Sequence, residues 1–260
     1  MAASYTPGPE QAGLVLRAEV SYVDGQGTTE TARSSPSTPV VGVQTGSGAN
    51  DTLLGKAWAE ELQGLQGDDR LTGLGGDDQL FGAEGIDTAV FGGARSRYGL
   101  AVNGSSILVE DLQGTDGKDQ LSAVERIEFS DGSLAFDLDG HAGLVARLLG
   151  AVFGAGSVGN AAYVGIGLDL ADAGSDATAL AQYALEARLG ATFTPTDLVQ
   201  LLYTNVAGVA PAPAELEFWI AALQSGPYTP VSLTLMASEL DLNAQNIDLV
   251  GLVETGLGFS

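Results

Sequence analysis
Five nine-residue blocks run without a break from Gly46 to Val90, and each opens on glycine: Gly46, Gly55, Gly64, Gly73 and Gly82. The sixth place reads Asp51, Glu60, Asp69, Asp78, Asp87, and the eighth reads Leu53, Leu62, Leu71, Leu80, Ala89. Glycine fills 37 of 260 positions, so five in one register by chance is on the order of one in ten thousand. A Gly/Asp-rich linker has no reason to hold leucine in register. A period this short reads as a solenoid, with one turn and one short strand per block.

Within one block, Gly64-Leu65-Gln66-Gly67-Asp68-Asp69-Arg70-Leu71-Thr72, the two glycines permit positive φ and let backbone carbonyls face a common point. The sixth-place carboxylate joins that ring of oxygens. Residues seven to nine form a strand whose middle residue faces a core. A hard cation with about six to eight oxygen ligands in flexible geometry suits such a turn, which favours Ca²⁺ over Mg²⁺ or zinc.

The run resembles the RTX nonapeptide family of secreted bacterial proteins. That resemblance implies a parallel β-roll with two blocks per coil and calcium between turns stacked on the same side. Turns 46–51, 64–69 and 82–87 then share one side, with Asp51, Asp69 and Asp87 as carboxylate ligands. Turns 55–60 and 73–78 share the other, with Asp78 as its ligand. Gly64, Gly67, Gly73, Gly76, Gly82 and Gly85 supply backbone carbonyls, and Glu60 and Asp119 are secondary metal candidates. Asp69 has a stacked neighbour on both sides. Asp78 has one, the degenerate turn in which Trp58 replaces the fourth-place glycine and Glu60 replaces Asp, so Asp69→Ala is expected to weaken two sites and Asp78→Ala one. Trp58 is expected to cover an end of the roll.

Around the repeats the chain reads as a series of modules: 1–43, 44–93, 94–140 and 141–260. In the first, Leu14, Leu16, Ala18, Val20 and Tyr22 alternate with Val15, Arg17, Glu19 and Ser21, and Asp24-Gly25-Gln26-Gly27 is a hairpin signal with a return strand from Thr28 to Ala32. This resembles the last strands of an immunoglobulin- or cadherin-like sandwich, with Tyr5 as its corner tyrosine, and suggests the tail of a longer protein. Ser34 to Pro39 reads as a linker. After the roll, Asn103-Gly104 marks a hairpin, and a further block, Gly114 to Ser122, lies out of register. With Val124, Ile127 and Phe129 this stretch resembles the β-rich cap that ends RTX rolls.

From 141 the pattern is helical. Leu144, Val145, Leu148, Leu149 and Val152 share a face; Ala177 to Leu189 ends at Gly190; Thr194-Pro195-Thr196-Asp197 starts another helix. Leu216, Trp219, Ile220 and Leu223 form an apolar stripe, and Asn243 is expected to cap the last helix. Leu202 to Trp219 resembles a helical module that follows RTX repeats, although Val209, Ala212 and Glu215 replace its central motif. The expected fold is therefore a partial β-sandwich, a parallel β-roll with a β cap, and an all-α C-terminal domain.

The charge balance, 33 acidic to 10 basic residues and net −23, disfavours nucleic acid and anionic membranes as partners. There is no cysteine, and no apolar run approaches the roughly 20 residues of a membrane span. Met1 to Pro7 has neither basic nor apolar character and does not read as a signal peptide. His141, the one histidine, is placed in a linker and cannot make a two-histidine zincin motif. No catalytic residue or nucleotide site is expected, and the chain is not expected to be an enzyme. The expected function is a calcium-binding, secreted C-terminal module that folds on calcium outside the cell. Its partners are calcium, the type I secretion machinery, and a surface or protein partner of the helical domain. The alternatives are a piece of a calcium-stiffened adhesin or surface-layer protein, or the tail of a secreted enzyme with its catalytic domain upstream. The end of the chain has no Lys or Arg after Arg188 and closes on small and apolar residues through Ser260, which resembles type I secretion signals.

Overall fold
The computed structural model describes residues 4–260; Met1, Ala2 and Ala3, part of the N-terminal reading above, lie outside the described residues. The chain divides into two compact units. One holds residues up to Val90 with Arg97–Gly99 and Asn103–Val124; the other holds Phe91–Ser96, Leu100–Val102 and Glu125–Ser260.

In the first unit the nine-residue period becomes two stacks of short strands. Thr52–Leu54, Arg70–Thr72 and Thr88–Val90 pair in parallel, each partner 18 residues on. The other stack runs Gly42–Thr45, Glu60–Gln66 and Gln79–Glu84, also parallel at 18 residues. Two blocks therefore make one coil. The eighth-place column lies along the inside: Leu62, Leu71, Leu80 and Ala89 are fully buried. The block expected to be out of register joins the second stack. Its strand Lys118–Ser122 pairs in parallel with Gln79–Glu84, Leu121 opposite Leu80, and Ser106–Asp111 closes against it antiparallel.

The N-terminal hairpin pairs Glu19–Val23 with Thr29–Arg33, around a turn where Asp24 Oδ1 accepts from the N–H groups of Gln26 and Thr28, both at 2.8 Å. The strand begins at Glu19 and not at Leu14. Val15 bridges Pro39, and proline has no N–H for a ladder. Hydroxyls take over there: Ser37 accepts from Leu16 N–H and Ser34 from Ala18 N–H, both at 3.0 Å. All ten strand residues are exposed, and Tyr5, the expected corner residue, is exposed too.

The second unit is a helical assembly with a small antiparallel sheet, Arg126–Phe129, Gly132–Ala135 and Leu257–Phe259. Its helices are α1 His141–Phe153, α2 Ala161–Asp172, α3 Ala177–Leu189, α4 Pro195–Leu202, α5 Pro213–Ser225, α6 Pro230–Ser238, α7 Asp241–Asn246 and α8 Leu249–Thr255. Helix α1 is apolar nearly all round and lies in the middle, with Val145, Ala146 and Leu148 in one cluster and Ala151 and Val152 in another. Start and stop signals act as expected at Gly190, φ +84 after α3, and at Thr194, whose hydroxyl accepts from Asp197 N–H at 3.2 Å. Trp219 is half-buried on α5, its Nε1 donating to the Tyr203 hydroxyl at 3.2 Å. Glu215 Oε2 accepts from Ala212 N–H at 2.8 Å, a capping role.

Two readings are corrected here. Asn243 does not cap the last helix: it is fully buried inside α7, where Nδ2 donates to the carbonyls of Arg147, 2.9 Å, and Ser238, 2.8 Å, and Asp248 caps α8. His141 is the first residue of α1 and not part of a linker. Its Nδ1 lies 2.7 Å from Asp172 Oδ1, in a cluster where buried Arg126 also meets Asp137 and Asp172. At the end of the chain Leu257 is fully buried opposite Ala135, and Ser260 N–H reaches the Ala161 carbonyl at 3.3 Å. Truncating the buried leucine in Leu257→Ala is expected to cost about 2–5 kcal/mol. Denaturant unfolding followed by the helical circular dichroism signal measures it; a midpoint equal to wild type would contradict this packing.

Candidate metal centre
Each turn of the roll is built around glycines that leave no room for a Cβ. One added to Gly46 would lie 2.6 Å from the Gly64 carbonyl oxygen and 2.8 Å from Asp51 Oδ2. Gly64, Gly73 and Gly82 face the sixth-place carboxylates of their own blocks, Asp69, Asp78 and Asp87, in the same way. The carbonyls of Gly64, Gly73 and Gly82 lie against the first-place glycine one coil earlier. Fourth-place Gly67, Gly76 and Gly85 hold φ of +106, +114 and +137, which only glycine adopts without strain. The Gly67 and Gly76 carbonyls point at Gly85 and Gly117, the fourth-place glycines of the following turns.

The sixth-place carboxylates tie the coils together. Asp69 Oδ1 accepts from Asp51 N–H at 2.7 Å, and Asp87 Oδ1 from Asp69 N–H at 2.9 Å. On the other side, Asp78 Oδ1 accepts from Glu60 N–H at 2.7 Å, and Asp119 Oδ1 from Asp78 N–H at 3.0 Å. The expected ranking of Asp78 below Asp69 is therefore corrected: turn 114–119 stacks on turn 73–78, and Asp78 also has two neighbours. Sequence reasoning missed a second ladder at the fifth place. Asn50 Oδ1 accepts from Asp68 N–H, Asp68 Oδ1 from Ile86 N–H, and Asp77 Oδ1 from Lys118 N–H, each at 2.9 Å. The signal was available, since Asn50, Asp68 and Asp77 recur at one place of the block.

Asp69, Asp78, Asp87 and Asp119 are 0–1% exposed and Glu60 is 3% exposed. The second carboxylate oxygens of Asp69 and Asp78 are buried with no hydrogen-bond partner. A buried acceptor without a donor is costly, and more so when ionised. Burial pushes the Asp78 carboxyl up to about 6, with the Glu60 and Asp77 charges adding to the rise against the Glu60 N–H bond. Burial likewise pushes Asp119 up to about 8, the Asp78 N–H opposing and the charges of Asp78, Asp116 and Asp77 adding. Among the described residues no three carboxylate or imidazole side chains converge on one point. The donors that do meet are one carboxylate per turn and backbone carbonyls, the oxygen-only set that suits Ca²⁺.

Trp58 lies over Gly13, whose added Cβ would be 2.7 Å from the indole Cδ2, so the degenerate turn is covered by the N-terminal segment. Lys56 Nζ sits 5.2 Å from the centre of the Trp58 ring.

Residues 59–89 match the family model of the RTX calcium-binding nonapeptide repeat, in four copies. They are RTX calcium-binding repeats. Calcium is the ion for which this repeat family is described. Among solved structures, extracellular lipase LipA from Serratia marcescens is similar at 22% identity, over 36% of this chain and 15% of that one, with a TM-score of 0.33. No curated protein matches the chain. Among the described residues no helix is long and apolar enough to cross a membrane.

Two outcomes follow from the RTX turns. In calorimetric calcium titration, Asp78→Ala is expected to lose as many ions as Asp69→Ala, because each carboxylate stands between two stacked turns; a smaller loss for Asp78→Ala would contradict the third turn on that side. The pH dependence has a definite sign. Both raised carboxyls, against 3.8 in the unfolded chain, favour the protonated folded form. These two groups therefore favour the metal-free roll near pH 4 and withdraw that stability as pH rises through about 6 and 8, while the lowered carboxyls of Asp51 and Asp111 oppose any gain below about pH 4. The strand signal of a chelated sample, followed from pH 4 to 9, checks this; a signal that grows with pH would contradict it.

Proposed function
We propose that this chain is the calcium-binding C-terminal module of a type I secreted protein and that its roll folds on calcium outside the cell. The observation that carries this reading is the pair of buried Asp69 and Asp78 oxygens with no donor, in turns whose other inward groups are carbonyls. Asp69, Asp78, Asp87 and Asp119, with the carbonyls of the first- and fourth-place glycines, would hold the ions. A bound calcium supplies positive charge that offsets the buried carboxylates and coordinates oxygens no N–H reaches. In this reading residues 1–43 end a β-domain, 44–93 form the roll, 94–140 cap it, and 141–260 form a helical partner-binding domain carrying the export signal. The module binds and does not catalyse.

The adhesin reading has one observation in its favour. The hairpin Glu19–Val23 and Thr29–Arg33 exposes Val20, Tyr22 and Val23 as the edge of a larger β-domain would, which fits tandem stalk domains. The two readings share the calcium chemistry and differ in what lies upstream.

Extracellular calcium sites typically bind at about 10⁻⁴–10⁻³ M, so cytosolic calcium leaves them empty and external calcium fills them. A far-UV circular dichroism titration of the 260-residue chain is expected to show the strand signal appear over that range while the helical signal stays constant. A strand signal unchanged by excess chelator would overturn the proposal.

A further inference from the structure
Two kinds of turn coexist in the roll, and one peptide unit separates them. In the first turn on each side the sixth-place carboxylate is satisfied within its own turn. Asp51 Oδ2 accepts from the Ser47 N–H at 2.5 Å and the Ser47 hydroxyl at 2.8 Å, and Glu60 Oε2 accepts from the Lys56 N–H at 2.5 Å. Ser47 and Lys56 hold the second place of their blocks, and neither has positive φ. One coil later the second-place residues are Leu65 and Leu74, with φ of +84 and +71. There the second oxygens of Asp69 and Asp78 receive no hydrogen bond. Ala83, at φ +88, shows where such an N–H goes: it donates to the Ala123 carbonyl of the next turn at 3.2 Å.

We propose that the peptide between the first- and second-place residues is a two-state gate on calcium. With negative φ its N–H closes the turn on the carboxylate, and that turn needs no ion. With positive φ the N–H turns away and leaves the carboxylate for a cation. Glycine adopts positive φ freely, and the repeat pattern carries glycine at this place. Leucine does not, because its Cβ crowds the backbone, and such outliers persist only where the surroundings hold them. Leu65 and Leu74 are 42% and 49% exposed, so packing of their side chains is a weak counterweight. The leucines thus raise the calcium concentration at which the open turns form. Asp51 and Glu60 become turn-closing residues, while Asp69 and Asp78 bind the ion. This inference rests on the calcium reading above.

The test is a calcium titration of the 260-residue chain and four variants, read by strand circular dichroism and calorimetry. Leu65→Gly and Leu74→Gly are each expected to lower the half-saturating calcium about two- to fivefold. Leu65→Asn, which tolerates positive φ, is expected to lower it by a smaller factor. Leu65→Ala keeps the Cβ, loses the rest of the side chain, and is expected to stay within about twofold of wild type. Gly and Asn variants at or above the wild-type midpoint, or Leu65→Ala matching Leu65→Gly, would overturn the gate. Absence of any calcium response in wild type and variants alike would instead overturn the calcium reading on which it rests.

Discussion

The first unit depends on a carboxylate that stacks the coils with one oxygen and leaves the other without a protein donor. In turns 64–69 and 73–78, one oxygen of the sixth-place aspartate holds the N–H of the turn before, and the other is buried beside a glycine with no donor. The first half of that arrangement stacks the coils, and under the calcium reading proposed above the second half makes the stack conditional on a cation. The core behind it is thin, about one leucine per block, too little to offset several buried charges. Helices of the second unit carry no such condition. Their clusters around α1 are apolar, and their caps are made by Asn160, Asp176, Thr194, Thr229 and Asp248 side chains.

The same economy of groups explains the turn at 114–119. A solenoid that ends leaves its last carbonyls and amides unpaired. Here Asp119 receives Asp78 N–H, Asp77 receives Lys118 N–H, and Leu121 continues the buried column, so a block far along the chain completes the coil. Arg97 then ties the loop that carries this block, with Nε 2.8 Å from Asp111 Oδ1 and Nη2 3.1 Å from Asp116 Oδ1. At the opposite end, where Asp51 and Glu60 have no turn before them, each carboxylate folds back on its own turn.

Much of this was legible in the residues. The nine-residue period, the inward leucines and the inward aspartates are local pattern, and α1, α3 and α4 announce themselves through apolar spacing and caps at Gly190 and Thr194. Contacts set by long separations were not. The pairing of Asp78 with Asp119 spans 41 residues where the repeat spans 18, and nothing in the period foretells it. Helix α2 carries Gly165 and Gly167 where Ser260 and Val145 approach closely, long-range contacts that its local sequence does not announce. Asn243 looked like a cap because of its residue type, but its amide bridges α1 to the end of α6 inside the core. The gate at Leu65 and Leu74 was hidden because positive φ at leucine runs against the residue's own preference.

The most direct test of the central claim is amide hydrogen exchange at the stacking N–H groups of Asp51, Glu60, Asp69 and Asp78, compared with the amides of α1, in excess calcium and in excess chelator. The account predicts that the four stacking amides are protected only with calcium, while α1 stays protected in both. Equal protection of the four amides with and without calcium would contradict it.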